Sequence, residues 1–116
     1  MRKLTTHQQA VLIQVLLTFS HEPVGVLYAP LAEDARSYAE DFLTIFKAIN
    51  WTVSDLETSD HLPVVRGQLA ILVKEGQSPP SAEALRDALR IYGIEAEFLR
   101  DPADLCAGRN FVLLVA

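Results

Sequence analysis

The chain has 116 residues, half of them apolar and 22% charged, with 15 acidic against 10 basic side chains and a formal net charge of −5. This length suits one domain, residues 1–116, and the apolar share lets burial offset chain entropy without disulfides or a structural metal. The acidic balance, with no Lys/Arg cluster, excludes a phosphate-backbone partner, so no nucleic acid is expected, and the single Cys106 excludes an internal disulfide and fits a reducing compartment.

Thr5 or Thr6 followed at the third position by Gln8 or Gln9 is a capping-box pattern and predicts a first helix over 6–19. Its apolar positions leave only a narrow polar strip at Gln14 and Thr18. AVLIQVLLTF (10–19) is too short to span a bilayer and is not followed by a small-residue cleavage site, so a buried helix without direct membrane insertion is expected. The stripe is wider than one sheet contact covers, which makes Val11, Leu12, Val15, Leu16 and Phe19 candidate interface residues.

VGVLYA (24–29) has no polar alternation and reads as a strand covered on both faces. A second helix is predicted from near Ala32, with Glu33 and Asp34 in its first turn, where acids complement the helix dipole, and an apolar face running from Ala35 to Ile49. WTVSDLE (51–57) alternates like an edge strand. After the link TSDHLPVVRG, LAILVKE is again continuously apolar. In GQSPPS, Ser78 can cap a third helix and Pro79 can occupy its first position; that helix runs to Tyr92, with Gly93 as its stop. IEAEFL (94–99) alternates as a second edge, and after the link DPADLCAGRN the chain closes on FVLLVA, with no polar residue.

Phe42, Phe46, Asn50, Trp51 and Val53 fall on Leu85, Leu89, Gly93, Ile94 and Ala96 at a constant offset of 43 residues. This doubled strand-helix-strand unit predicts an α/β, Rossmann-like three-layer sandwich: an N-terminal helix, then βαββαββ with a mixed five-stranded sheet. A ferredoxin-like α+β order, 4-1-3-2, would leave the last strand at an edge or off the sheet. The order 2-1-3-5-4 puts the three apolar strands inside and is preferred, with the fifth strand antiparallel and the second and third helices on opposite faces.

VGVLYAPLAEDARSYAEDFLTIFKAINWTV, followed by an apolar strand, SPPSAEALRDALRIYGIEAEF and a last apolar strand, resembles an uncharacterised bacterial domain that usually follows membrane-spanning helices and faces the cytoplasm. The likeness covers about residues 4–116. It implies a cytoplasmic location, at the membrane through a partner or a tethering segment, and it implies no activity and no site residue. The chain departs from that pattern in showing no membrane helix.

His7, His21 and His61 lie in separate segments without metal-ligand spacing, so no metal and no cofactor is expected. No glycine-rich phosphate loop follows either the first or the third strand. Open α/β sheets bind ligands at the carboxyl ends of strands where the order reverses, here between the first and third strands. Tyr28, Pro30, Glu33 and Asp34 would then face Lys74, Gln77 and Ser78, with Asp60 and His61 from the neighbouring loop, in a cleft for a polar or cationic metabolite. Asp60 and His61 are adjacent and lack a third orienting group, so no catalytic residue is assigned. The leading expectation is a non-catalytic interaction or sensory module that forms a homodimer or binds a membrane-protein partner. A small polar-metabolite sensor is the alternative, and an enzyme of unknown class is third.

Overall fold

The computed structural model describes residues 2–19, 21–30, 33–53, 55–58, 68–74, 76–100 and 108–116. Helix α1 spans Thr6–Leu16 and begins with the expected capping box: Thr5 Oγ1 accepts the Gln8 N–H at 3.1 Å, and Gln8 Oε1 accepts the Thr5 N–H at 2.9 Å. It stops short of the predicted end because Phe19 leaves the helix, its carbonyl accepting the Trp51 indole N–H at 3.0 Å. Strand β1 is Pro23–Tyr28, α2 is Ala35–Ala48, and the expected edge strand 51–57 is two short pieces, β2 (Thr52–Val53) and β3 (Glu57–Thr58). Then come β4 (Leu69–Val73), α3 (Pro80–Ile91), β5 (Ala96–Arg100) and β6 (Phe111–Val115). Pro80 rather than Pro79 opens α3, and the Ser78 hydroxyl donates to Glu83 Oε1 at 3.0 Å instead of capping the backbone.

The repeat is visible in the backbone. At the end of α2, Asn50 adopts φ 63° and the Trp51 N–H reaches back to the Phe46 carbonyl at 3.0 Å. At the end of α3, Gly93 adopts φ 73° and the Ile94 N–H reaches back to the Leu89 carbonyl at 3.0 Å. Both ends are Schellman-type stops with a left-handed residue at C′, which explains why only Asn or Gly stands there.

Among the described residues the sheet is mixed and six-stranded, in the order β2-β1-β6-β4-β5, with β3 also on β1. The three apolar strands are interior and the two alternating segments lie at the edges, but the order 2-1-3-5-4 does not form. The last strand lies between β1 and β4, parallel to β1 and antiparallel to β4. The two repeats therefore run in opposite directions, related by an approximate two-fold normal to the sheet, with β6 between them. Two crossovers of the same hand related in this way put their helices on one face, not on opposite faces as expected.

That face holds the main core. Val24, Val26, Phe111, Leu113, Val115, Leu69, Ile71 and Val73 point from the strands into one cluster with the buried side chains of all three helices. Burying Phe42 and Phe46 contributes about 1.5 to 3 kcal/mol each. Phe46 stacks on Trp51 at 5.3 Å, and both meet Phe111 edge-on at 6.1 Å. Helix α1 packs against both α2 and α3, so a stripe too wide for one neighbour is used by two. The opposite face carries a second buried cluster, Leu27, Ala70, Leu72, Val112 and Leu114, on which no described helix lies. Among the described residues, all three helices lie on a single face, not on the two faces expected. Gly25 is on the second face, where a β-carbon would collide with Arg109 Nη1, so the absence of a side chain is what admits that guanidinium.

Candidate functional site

The antiparallel setting of the repeats takes apart the expected metabolite cleft. Tyr28 ends β1 beside Val115 and hence beside Leu69, the start of β4. Lys74, Gln77 and Ser78 follow the other end of β4, a strand length of about 15 Å away. Tyr28, Glu33 and Asp34 thus share one end of the sheet and Lys74 and Ser78 the other, while Asp60 and His61 lie outside the described residues. Asp34 is also engaged: Arg2 Nη2 lies 3.0 Å from Oδ1, and Arg2 Nε and the Arg2 backbone N–H donate to Oδ2 at 3.1 and 2.8 Å. The Arg2 side-chain hydrogen bonds, followed by its backbone N–H, hold the Asp34 carboxyl well below the usual carboxylate range. Arg2 also donates to the Ala116 carbonyl at 2.5 Å and lies over the Tyr38 ring at 5.2 Å. This cluster ties the N-terminal segment to α2 and to the residue after β6.

The candidate interface on α1 changes as well. Leu12 and Leu16 are fully buried inside the fold, and Val11, Val15 and Phe19 are only partly exposed. The helix-helix contacts use the residues that were expected to face a partner. The exposed large apolar side chains among the described residues are Leu17 at 60% and Ile91 at 80%.

Two grooves flank the fold at equivalent places in the repeats, each between a helix and the adjoining edge strand. The first, about 520 Å³, runs along α2 past Leu43 and Lys47 to Asp55 and Leu56. The second, about 420 Å³, runs along α3 past Arg86 and Arg90 to Ala96 and Phe98. Leu43 and Lys47 correspond to Arg86 and Arg90 at the 43-residue offset. In the first groove the charges are matched within the chain: Lys47 Nζ lies 3.8 Å from Asp55 Oδ1, and Arg36 Nε lies 3.3 Å from Glu40 Oε1.

The second groove is different. Arg86 donates to Asp87 Oδ1 at 3.1 Å and its guanidinium lies 4.6 Å over the Phe98 ring, while Arg90 is exposed and forms no ion pair with a described residue. Ala96 and Phe98 face the helices and pack on the main core, Leu99 packs on the second cluster, and Glu95 and Glu97 line the groove along with Arg86 and Arg90. Strand β5 is continuous over five residues and pairs with β4 alone among the described strands. Among the described strands, the side of Ala96–Leu99 away from β4 has no partner strand, and it lies next to a helix-walled groove. Neither propensity nor periodicity pointed here, because Arg86 and Arg90 read as an ordinary solvated helix face. The sequence offset aligns Phe98 with Asp55, but in the sheet Leu56 takes the corresponding core-facing place, because Val53 and Glu57 are four residues apart while their partners Val24 and Leu27 are three apart.

Among the described residues, no group of three or more His, Cys, Asp or Glu is placed to hold a metal ion, and no helix is long and apolar enough to cross a membrane. No protein-family model, curated protein or solved structure matches the chain.

Proposed function

We propose that the chain is a non-catalytic interaction module that holds an extended segment of a protein partner on the outer edge of β5, with α3 as the opposite wall. The observation that carries this reading is the contrast between the two grooves. One is broken at its edge strand; the other keeps a continuous edge, an aromatic floor at Phe98 and an Arg90 that forms no ion pair with a described residue. Ile91, 80% exposed and next to Arg90, adds apolar surface at the same end of α3. A membrane-linked cytoplasmic partner, as the sequence resemblance implies, belongs to this reading. The homodimer expected from α1 loses its support, because Leu12 and Leu16 are core residues.

Selection of binders from a displayed library of extended peptides tests it. Selected peptides should slow hydrogen exchange at the β5 amides and lose binding on Phe98→Lys, in protein whose thermal unfolding shows it remains folded. Binders that protect another surface and ignore Phe98→Lys would sink the proposal. A metabolite that raises Tm and loses that effect on Asp34→Ala would favour the sensor instead.

A further inference from the structure

We propose that the outward face of α1 is the contact surface for a second copy of the chain, packed antiparallel about a two-fold axis at Gln14; this does not rest on the strand-addition reading. From Thr6 to Phe19 the chain has no Asp, Glu, Lys or Arg, although it has 15 acidic and 10 basic residues elsewhere. Leu12 and Leu16 turn inward and are fully buried, which removes them from any interface, but the opposite side of the helix is a different surface. At 100° per residue, His7, Ala10, Val11, Gln14, Leu17 and Thr18 lie within about 60° of the direction of Gln14. Ala10, Gln14, Leu17 and Thr18 are exposed, Leu17 at 60%, and Val11 is half-buried without joining either core cluster. The polar groups at the two ends are already used: His7 meets the Tyr92 ring edge-on at 6.2 Å, and the Thr18 hydroxyl donates to the Val15 carbonyl at 3.1 Å. The outer sides of the other two helices are charged, α2 exposing Arg36, Glu40 and Lys47 and α3 exposing Asp87 and Arg90.

A chain of net charge −5 repels its own copies, so self-association is least opposed through a face without Asp, Glu, Lys or Arg. The face is also self-complementary. A two-fold axis through Gln14 sets Leu17 of one copy beside Ala10 and Val11 of the other at both ends of the contact, so the large exposed side chain meets smaller ones. At the axis the two Gln14 amides, each both donor and acceptor, bond one another. A lipid surface is the poorer occupant. An interfacial helix sets basic residues beside a broad band of large apolar ones, whereas here Leu17 is the one large apolar side chain strongly exposed between Thr6 and Phe19, and no Lys or Arg accompanies it. With 11 residues α1 is about 16 Å long, so the contact is small and the dimer weak and reversible.

Light scattering on the full chain, from about 1 μM to about 1 mM, should show a monomer passing reversibly to a dimer. Leu17→Glu alters an exposed side chain and should leave Tm unchanged while weakening association at least about tenfold. In a Cys106→Ser background, Gln14→Cys should cross-link to itself under mild oxidation, because the two-fold axis brings its β-carbons together. Ala10→Cys and, on the exposed side of α2, Thr44→Cys should not. A monomer over the whole range overturns the inference, and so does a dimer that Leu17→Glu leaves as tight. Self-cross-linking of Ala10→Cys as readily as Gln14→Cys means a parallel pairing and overturns the proposed axis. Co-sedimentation with phosphatidylglycerol vesicles that Leu17→Glu abolishes, in protein that stays monomeric, makes a lipid surface the occupant and overturns the second copy.

Discussion

The two repeats share a backbone plan and differ in how they finish their outer edges. Both helices end in the same left-handed stop, at Asn50 and at Gly93, and both place a basic residue on the groove wall, at Lys47 and at Arg90. The first repeat then breaks its edge into β2 and β3 and brings Asp55 to Lys47; the second runs β5 unbroken with Phe98 beneath Arg86. An edge strand must be blunted or used, since its free main-chain groups will pair with another chain. One half of this molecule is blunted, and the other is the half proposed above to receive a partner. The lesson is that a duplicated unit can keep its helix stops, which set the fold, while its rim residues diverge.

The largest expected effect separates the two cores. Phe46 and Leu89 are equivalent and fully buried, but Phe46 also stacks in the ring cluster with Trp51 and Phe111. Phe46→Ala should cost about 4 kcal/mol and Leu89→Ala about 3 kcal/mol in urea unfolding. A larger loss at Leu89 would mean that the second repeat, not the aromatic one, anchors the sheet.

The Arg2–Asp34 tie belongs to the first repeat only, and its side chains are 24% and 21% exposed. Asp34→Asn should cost about 1 to 2 kcal/mol near neutral pH, a partly solvated charge-assisted pair being worth less than a buried one. Because the folded state lowers this pKa, the difference between wild type and variant should be constant above about pH 4, the unfolded carboxylate range. It should then shrink as the solution is made more acidic, vanishing only below the folded pKa. A difference that instead grew on acidification would contradict the assignment of Asp34 as the stabilised carboxylate.

The helix stops should be interchangeable. Asn50→Gly should change stability by only a few tenths of a kcal/mol, whereas Gly93→Ala should cost about 1 kcal/mol, because the left-handed conformation is open to Gly, tolerable to Asn and strained for Ala. Equal tolerance of Ala at Gly93 would show that the two ends are not held alike. The smallest effect concerns Ser81, fully buried, with no hydrogen-bond partner for its hydroxyl among the described residues. Ser81→Ala should be neutral or stabilising by up to about 1 kcal/mol, and a clear loss in a melting experiment would reveal a partner for that oxygen.

The 43-residue offset made the helix stops readable before any coordinates: Asn50 and Gly93 were aligned by sequence and share one backbone conformation. The interior and edge strands were readable because FVLLVA, LAILV and VGVLY lack polar alternation. The strand order was not, for the same reason. A strand apolar on both faces fits beside any neighbour in either direction, so Phe111–Val115 gave no hint that it lies between β1 and β4. The orientation of the second repeat followed from that placement, and with it the separation of Asp34 from Lys74. Arg90 escaped notice because a lone base on a helix surface is the commonest arrangement there is.

Strand β6, central in the sheet and later in sequence than both repeats, also bears on the order of folding. As the chain is synthesised, each strand-helix-strand unit emerges before the strand that joins them, and β1 and β4 do not pair with one another. The half-sheets have no common ladder until Phe111–Val115 inserts and completes both sides at once, with Val24 opposite Phe111 on one flank and Val73 opposite Phe111 on the other. If capture of this distant strand limits the rate, refolding should be slow for a protein of this size, and substitutions at Leu113 should retard folding more than they accelerate unfolding.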